Sequence, residues 1–173
     1  MPSDNVQLLV MFGIAAAVAA IAGYFIARYL KGSITISLPG TAFNQGDTVE
    51  GSFELLTRKE VKGNGLTACL VASETTREYR NGKSHSHTRE IYRSGQTLEN
   101  AKEYPAGYKA AYNFKLAVPA EQGAGGSVLG QALNMLGGLN RRISWKVEVR
   151  LDAEGVDLAS SQKISVGQTG FFS

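Results

Sequence analysis

One stretch of twenty residues without a charged side chain, residues 8–27, most constrains how this chain folds. It reads LLVMFGIAAAVAAIAGYFIA, and the charge-free run extends back to Asn5. At a rise of about 1.5 Å per residue, twenty helical residues span the ~30 Å hydrocarbon core of a bilayer. The sequence therefore predicts one transmembrane helix within an N-terminal anchor of residues 1–31.

A cleaved signal peptide is the alternative for this segment, because Ala20-Ile21-Ala22 resembles a cleavage site. Two observations favour a retained helix. Residues 1–7 carry Asp4 and no Lys or Arg, whereas a signal peptide begins with positive charge. The apolar run also continues past the alanines through Phe25 and Ile26.

The charges that flank the helix predict its orientation. Arg28 and Lys31 follow it, and only the amino terminus offers positive charge before it. The positive-inside rule then places the N-terminus outside and the C-terminal domain in the cytoplasm. Cys69 has no second cysteine to pair with, which agrees with a reducing compartment.

Small residues recur every four positions along this helix and define a ladder. They are Ala15, Ala19, Gly23 and Ala27. Such spacing lines one helix face and lets another helix approach closely, although an alanine-rich segment also produces it by chance. The ladder is a hypothesis for packing in the membrane.

From residue 32 onward, apolar and polar residues alternate with the period of two that is typical of β-strands. Ile34, Ile36 and Leu38 show it first, and residues 143–151, which include Trp145, show it most clearly. Further strands are predicted near residues 49–55, 66–73, 108–118 and 162–166. Short strands with turn signals between them predict an all-β, antiparallel two-sheet sandwich over residues 32–167, followed by a tail of residues 168–173.

A polar β-hairpin is predicted around Arg80-Asn81-Gly82-Lys83, because Asn-Gly adopts the positive φ angles of a type I′ turn. Five basic residues lie in or near its arms, against Glu78 and Glu90. They are Arg77, Arg80, Lys83, Arg89 and Arg93. They are candidates for binding an acidic protein or acidic lipid. Alternatively, the charges only protect an exposed strand from aggregation.

Residues 123–140 form a long apolar insertion between two predicted strands, with the sequence GAGGSVLGQALNMLGGLN. Its apolar positions follow helical spacing and include Val128, Leu129, Leu133 and Leu136. The insertion either folds over one end of the sandwich or contacts a partner. It is uncharged and lacks the basic face of a membrane-surface helix, which favours a protein over lipid.

Composition argues against several functional classes. The 18 Lys and Arg residues and 15 Asp and Glu residues are too balanced for a general nucleic-acid binder. No Gly-x-Ser-x-Gly elbow occurs, and the glycines at 123–126 lack the Lys-Ser/Thr of a phosphate loop. His85 and His87 would share one strand face and offer two metal ligands, with no Cys, Asp or Glu within two residues. We expect no enzyme activity, no cofactor and no nucleic acid, and identify no small-molecule substrate.

Several short motifs together resemble the arrestin-like superfamily. They are Gly46-Asp47-Thr48-Val49-Glu50-Gly51, Val61-Lys62-Gly63, Tyr104-Pro105-Ala106-Gly107-Tyr108 and Ser144-Trp145-Lys146-Val147, within a resemblance that spans residues 32–166. The family includes the arrestin N-terminal domain, the Vps26-type retromer subunits and the bacterial sporulation-control proteins. It implies a two-sheet sandwich with a scaffolding or adaptor role. The chain departs from the family in having room for one such domain and in its membrane helix, so no functional residue is carried over.

These observations lead to one functional hypothesis and two alternatives. The first is a non-enzymatic single-pass membrane protein that presents an arrestin-like domain as a scaffold or adaptor to membrane-protein partners. The second is a permanently bound accessory subunit of a larger integral-membrane complex. The third is a small metal-binding protein that uses His85 and His87.

Overall fold

The computed structural model describes residues 4–80, 83–120 and 141–167. Helix α1 spans Asp4–Lys31, and strand β1 follows at once as Gly32–Ser37. The other strands are β2 (Ala42–Asn44), β3 (Thr48–Thr57), β4 (Val61–Arg80), β5 (Lys83–Glu99), β6 (Lys102–Tyr104), β7 (Lys109–Ala117), β8 (Arg141–Ala153) and β9 (Leu158–Gly167). The predicted N-terminal helix followed by strands is therefore present in the structure.

The strands form two sheets. The small sheet has the order β1-β3-β7, and the large sheet has the order β2-β9-β8-β4-β5, with β6 paired to the start of β4. All pairs are antiparallel except β2 with β9, which is a parallel pair of three residues. The chain crosses between sheets after β1, so that β2 pairs with β9 of the large sheet instead of with a neighbour in sequence.

The apolar faces of the two sheets meet in one core. Val49, Phe53 and Leu55 of β3 are at most 1% exposed, and Phe53 stacks on Tyr112 with ring centroids 5.2 Å apart. From the large sheet, Trp145 packs against Tyr92, with centroids 5.7 Å apart. The predicted all-β sandwich is confirmed, because the residues with period two are those that fill its interior.

Strand β4 is apolar on both faces because it lies in the middle of the large sheet. β5 pairs with one side of it and β8 with the other. Leu66 and Leu70 face the core, whereas Val71 faces the opposite way and is still only 1% exposed. Charged side chains of β5 and β8 cover Val71 on this outer face of the large sheet, as described below.

Gly51 stands in the middle of β3, where the sequence pattern calls for an apolar side chain. A Cβ atom at this position would lie 2.6 Å from Cδ2 of Leu38 and 2.7 Å from Cζ of Phe114. The glycine therefore lets Leu38, just after β1, and Phe114 of β7 come together over the strand between them.

Helix α1 has one apolar span, Leu9–Lys31, that is long enough to cross a membrane. Its large side chains are exposed, with Ile14 and Val18 each at 60%. A signal sequence near an N-terminus shares this length and composition. The retained transmembrane helix stays a prediction, and so does its orientation.

Candidate binding surfaces

The helix is tied to the sandwich through the two cations that predicted its orientation. The Lys31 ammonium donates to the carbonyl oxygen of Val156 at 2.8 Å and to that of Glu154, both in the turn between β8 and β9. The Arg28 guanidinium donates to the carbonyl oxygen of Ala159 in β9. Both charges therefore have a structural role at the end of the helix.

Arg58, just after β3, completes this junction. Its backbone N–H donates to the carbonyl oxygen of Lys31 at 2.8 Å, and its guanidinium donates to that of Tyr29 at 2.5 Å. The guanidinium carbon also lies 4.1 Å from the centroid of the Tyr29 ring. The last carbonyls of a helix lack partners within it and carry partial negative charge, so a cation stabilises this end.

The change from helix to strand at the junction occurs at Gly32. Its φ angle is +156°, and a Cβ atom there would collide with the carbonyl oxygen of Leu56. Only glycine fits this close approach of β1 to β3. The helix therefore enters the sandwich directly at Gly32, without a linker.

The junction and the predicted basic hairpin lie at opposite ends of the large sheet. Near the junction, Gly63 of β4 pairs with Ala153 of β8, and at the other end Thr76 pairs with Arg141. At about 3.3 Å per residue, the stretch of β4 from Gly63 to Arg77 is about 45 Å long. We call residues 74–80 of β4 and 83–89 of β5 the distal hairpin.

The alternation of side chains divides the distal hairpin into two faces. Glu74 is only 3% exposed, so its face points inward, and Thr75 and Arg77 point outward. The register places Ser86 opposite Arg77, and His85 opposite Glu78. The predicted turn residues Asn81 and Gly82 lie outside the described residues, and the strands end and begin at Arg80 and Lys83.

Two of the five basic residues are held by carboxylates. The Arg89 guanidinium lies 2.8 Å from the nearly buried carboxylate of Glu74. Arg93 pairs with Glu90 at 2.8 Å and with Glu148 at 3.3 Å. The hydrogen bond with Glu90 raises the pKa of Arg93, although partial burial opposes this shift. The guanidinium groups of these two arginines are therefore engaged within the large sheet, which their ion pairs stabilise.

Arg77 and Lys83 differ from those two. Both side chains are exposed, and neither makes an ion pair with any residue that the structure describes. Arg80 is the last residue of β4, where it pairs with Lys83 across the hairpin. Among the described side chains of the distal hairpin, Arg77 and Lys83 are therefore the basic residues without an ion pair.

His85 and His87 are both exposed and lie two residues apart on β5, facing Glu78 and Thr76 across the hairpin. In residues 4–80, 83–120 and 141–167, no group of three or more His, Cys, Asp or Glu side chains is placed to hold a metal ion. The metal-binding hypothesis gains no support from this geometry.

Of the two other predicted surfaces, the structure describes only the ladder on α1. The insertion at 123–140, with Val128, Leu129, Leu133 and Leu136, lies outside the described residues. The ladder at Ala15, Ala19, Gly23 and Ala27 is exposed along α1, and Lys31 continues its spacing of four residues. Ala27, the last member of the ladder, therefore lies near the helix side from which Lys31 reaches the sandwich.

A polar cluster that sequence patterns do not predict joins β5, β6 and β7. The Tyr104 hydroxyl donates to Glu99 at 2.7 Å, Lys102 lies 2.9 Å from the same carboxylate, and the Tyr108 and Tyr112 hydroxyls lie 3.0 Å apart. Burial, together with the hydrogen bond to Glu99, raises the pKa of Tyr104. These groups satisfy one another and fasten the two sheets together.

A second cluster lies on the outer face of the large sheet. The Lys146 ammonium lies 2.5 Å from Glu148, which also accepts from Arg93. Although burial opposes it, the hydrogen bonds from Lys146 and Arg93 lower the pKa of Glu148. These charges cover Val71 and the half-buried Cys69, which explains why an apolar side chain on this face is buried.

A shallow groove crosses the small sheet near Leu38, Pro39, Gly51 and Phe114. Its charged groups are paired with each other, because Lys115 lies 2.8 Å from Glu50. The side chain of Gln96 accepts a hydrogen bond from the backbone N–H of Lys115 at 3.2 Å. The one carboxylate in its lining, that of Glu50, is thus held in an ion pair.

Comparison with known proteins identifies the fold. No protein-family model and no curated protein matches the sequence. The structure is similar to the crystal structure of Spo0M, a sporulation control protein from Bacillus subtilis, with a TM-score of 0.55 and 14% sequence identity. The fold is arrestin-like. The similarity covers 79% of this chain and 49% of Spo0M, so this chain spans about half the length of that protein.

This result confirms the family resemblance at the level of the fold. At 14% identity the likeness assigns no role to any residue, and what Spo0M does in its own organism is not transferred to this chain. In this chain an apolar helix leads directly into the first strand of the sandwich.

Proposed function

We propose that this chain is a non-enzymatic single-pass membrane protein that presents its arrestin-like sandwich as a scaffold or adaptor for protein partners. One observation supports this most strongly, namely the exposed apolar helix that continues into β1 without a linker. Burying such a helix in lipid removes its apolar surface from water, and the junction then holds the sandwich beside the membrane.

The chemistry of the described surfaces supports binding rather than catalysis. Their clustered charges are used in internal ion pairs, as with Arg93 and Glu148 or Lys102 and Glu99. No buried side-chain nitrogen or oxygen in the described residues lacks a hydrogen-bond partner. Active sites commonly keep polar groups poised for a substrate, whereas these groups stabilise the sandwich.

A permanently bound accessory subunit is the second proposal, and the ladder on α1 favours it. Ala15, Ala19, Gly23 and Ala27 are exposed along one helix face. Small residues at this spacing let two transmembrane helices pack closely. In this proposal the helix makes the lasting contact, and in the adaptor proposal the sandwich makes a transient one.

Site-specific photo-crosslinking in native membranes tests both proposals. A photoreactive residue at Ser86 on the distal hairpin is compared with one at Thr35 on the small sheet and one at Ala19 in the ladder. An adaptor gives a discrete protein crosslink from the sandwich in native membranes. This crosslink does not form when mild detergent is added before irradiation. An accessory subunit gives a crosslink from Ala19 and a partner that stays at fixed stoichiometry in detergent. The absence of discrete crosslinks at all three positions would contradict both proposals.

The cytoplasmic orientation of the sandwich is part of the proposal and is tested separately. A reporter that is active only in the cytoplasm, fused after Ser173, is expected to be active, because Arg28 and Lys31 keep the following domain inside. A reporter that is active only outside the cytoplasm serves as the control. Activity of that second reporter would overturn the orientation.

A further inference from the structure

Among the described side chains of the sandwich, eight cations have a carboxylate partner within 4.0 Å and six do not. The paired residues are Lys62, Arg89, Arg93, Lys102, Lys109, Lys115, Lys146 and Arg150. Arg77 and Arg142 are exposed and make no ion pair with any residue in the described ranges. Their guanidinium groups are therefore available to an external anion.

The register of the large sheet brings these two arginines to the same face. Arg142 of β8 pairs with Thr75 of β4, and Arg77 lies two residues farther along β4. Side chains two residues apart on a strand share a face, so both guanidinium groups lie on the outer side. Diagonal neighbours on adjacent strands are about 7–8 Å apart, close enough to contact one extended ligand.

Hydroxyl groups surround the two arginines. The hydroxyls of Thr75 and Thr88 lie 2.9 Å apart between β4 and β5, and Ser86 lies opposite Arg77. The same face carries Ser73, Ser84 and Ser144 by register. Glu90, an acidic residue on the same face of β5, forms an ion pair with Arg93. We call this set the distal outer face.

We propose that the distal outer face binds an extended acidic segment of a partner protein, which names the partner chemistry of the adaptor function and rests on it. Guanidinium groups bind carboxylates through paired hydrogen bonds, and neighbouring hydroxyls donate to the remaining carboxylate oxygens. β5 is the edge strand of the large sheet, and β4 and β8 follow it inward, so an extended segment that crosses the outer side of these strands meets Arg77 and then Arg142.

The position of this face argues against the lipids of the chain's own membrane as its ligand. Arg77 is about 45 Å of strand from Gly63, which lies beside the junction with α1. Electrostatic attraction between exposed charges decays over about 8–10 Å at physiological salt. If the large sheet extends away from the membrane that holds α1, the surface of that membrane exerts little attraction at the distal outer face.

The proposal is tested with the full-length chain in detergent micelles and a fluorescently labelled peptide of alternating Glu and Ser. Fluorescence anisotropy is expected to show binding that weakens as salt is raised. The double variant Arg77→Glu and Arg142→Glu is expected to bind at least about tenfold more weakly. The fluorescence of Trp145, the sole tryptophan, verifies that the variant is folded.

A matched control separates the distal outer face from net charge. Lys59→Glu with Lys163→Glu makes the same charge change at two exposed positions outside the distal outer face, one after β3 and one in the middle of β9, and binding is expected to stay within about twofold. Equal weakening of the two double variants, or full binding by the Arg77 and Arg142 variant, would overturn the proposal. Binding to added phosphatidylserine vesicles but not to the peptide would also overturn it.

Failure of the distal outer face as the docking site is distinguishable from failure of the adaptor function. Photo-crosslinking from Ser86 is repeated in the Arg77→Glu, Arg142→Glu background. Loss of the crosslink in this variant, with retention in the Lys59 and Lys163 control, supports the distal outer face as the docking site. A crosslink that survives in both variants supports the adaptor function and shows that the distal outer face is not its docking site.

Discussion

Trp145→Ala is expected to lower the free energy of unfolding by about 3–5 kcal/mol. Trp145 is 8% exposed, lies between Ala72 and Ile164 on the adjacent strands and packs against Tyr92. Removing the indole forfeits its burial and leaves a cavity beside Ala72, whose short side chain cannot fill it. Chemical denaturation of the full-length chain in detergent, followed by circular dichroism, measures the change without the lost fluorophore.

Lys163→Ala is the matched control for this measurement. Lys163 of β9 pairs with Lys146, the residue that follows Trp145 on β8. The side chain of Lys163 is exposed. Its substitution is expected to change the free energy of unfolding by no more than about 0.5 kcal/mol. A loss below about 1 kcal/mol for Trp145→Ala would contradict the core position of this residue.

Ile14→Lys combined with Val18→Lys is expected to remove the chain from the membrane fraction. Both residues lie within the apolar span Leu9–Lys31 and are 60% exposed. A lysine near the centre of a transmembrane helix costs about 2.5–3.5 kcal/mol in insertion, so two cost about 5–7 kcal/mol. Sedimentation of membranes after alkaline carbonate extraction measures the distribution of the chain.

The control adds the same charge outside the helix, with Thr35→Lys and Ser37→Lys on β1. Both positions are exposed, and this variant is expected to sediment with the membranes like the unchanged chain. Intact-mass analysis of the unchanged chain decides between a retained helix and a signal sequence. A mature chain that lacks residues 1–22 and stays in the supernatant would contradict the anchor.

The fold was predictable because strand periodicity and turn residues act over short distances. Val49, Phe53 and Leu55 share a face by their spacing alone, and all three are buried. The length of β4 was harder to predict, because beyond Ser73 its residues are polar. Backbone pairing with β5 and β8 extends the strand there, and such pairing leaves no hydrophobic pattern in the sequence.

The candidate surfaces were predictable only in part, because ion pairs form between distant residues. A count of charges near residues 77–93 shows an excess of positive charge, yet Arg93 is neutralised by Glu148, which lies far away in sequence. Arg142 carries no motif and joins Arg77 only through the register of β8 with β4. Likewise, Lys31 donates to backbone carbonyls, and any residue type supplies such an acceptor.

Because β1 begins at Gly32 directly after α1, the helix and the sandwich are expected to move together. Lys31 and Arg58 fix the angle at which α1 meets the strands, so a change in helix tilt swings the whole large sheet. Transmembrane helices adjust to bilayer thickness by tilting, with an average tilt of about 20°. Over about 45 Å of β4, such a tilt displaces the far end sideways by roughly 15 Å. In the proposed membrane-anchored arrangement, the thickness of the surrounding membrane would thus set the reach of Arg77 toward a neighbouring protein.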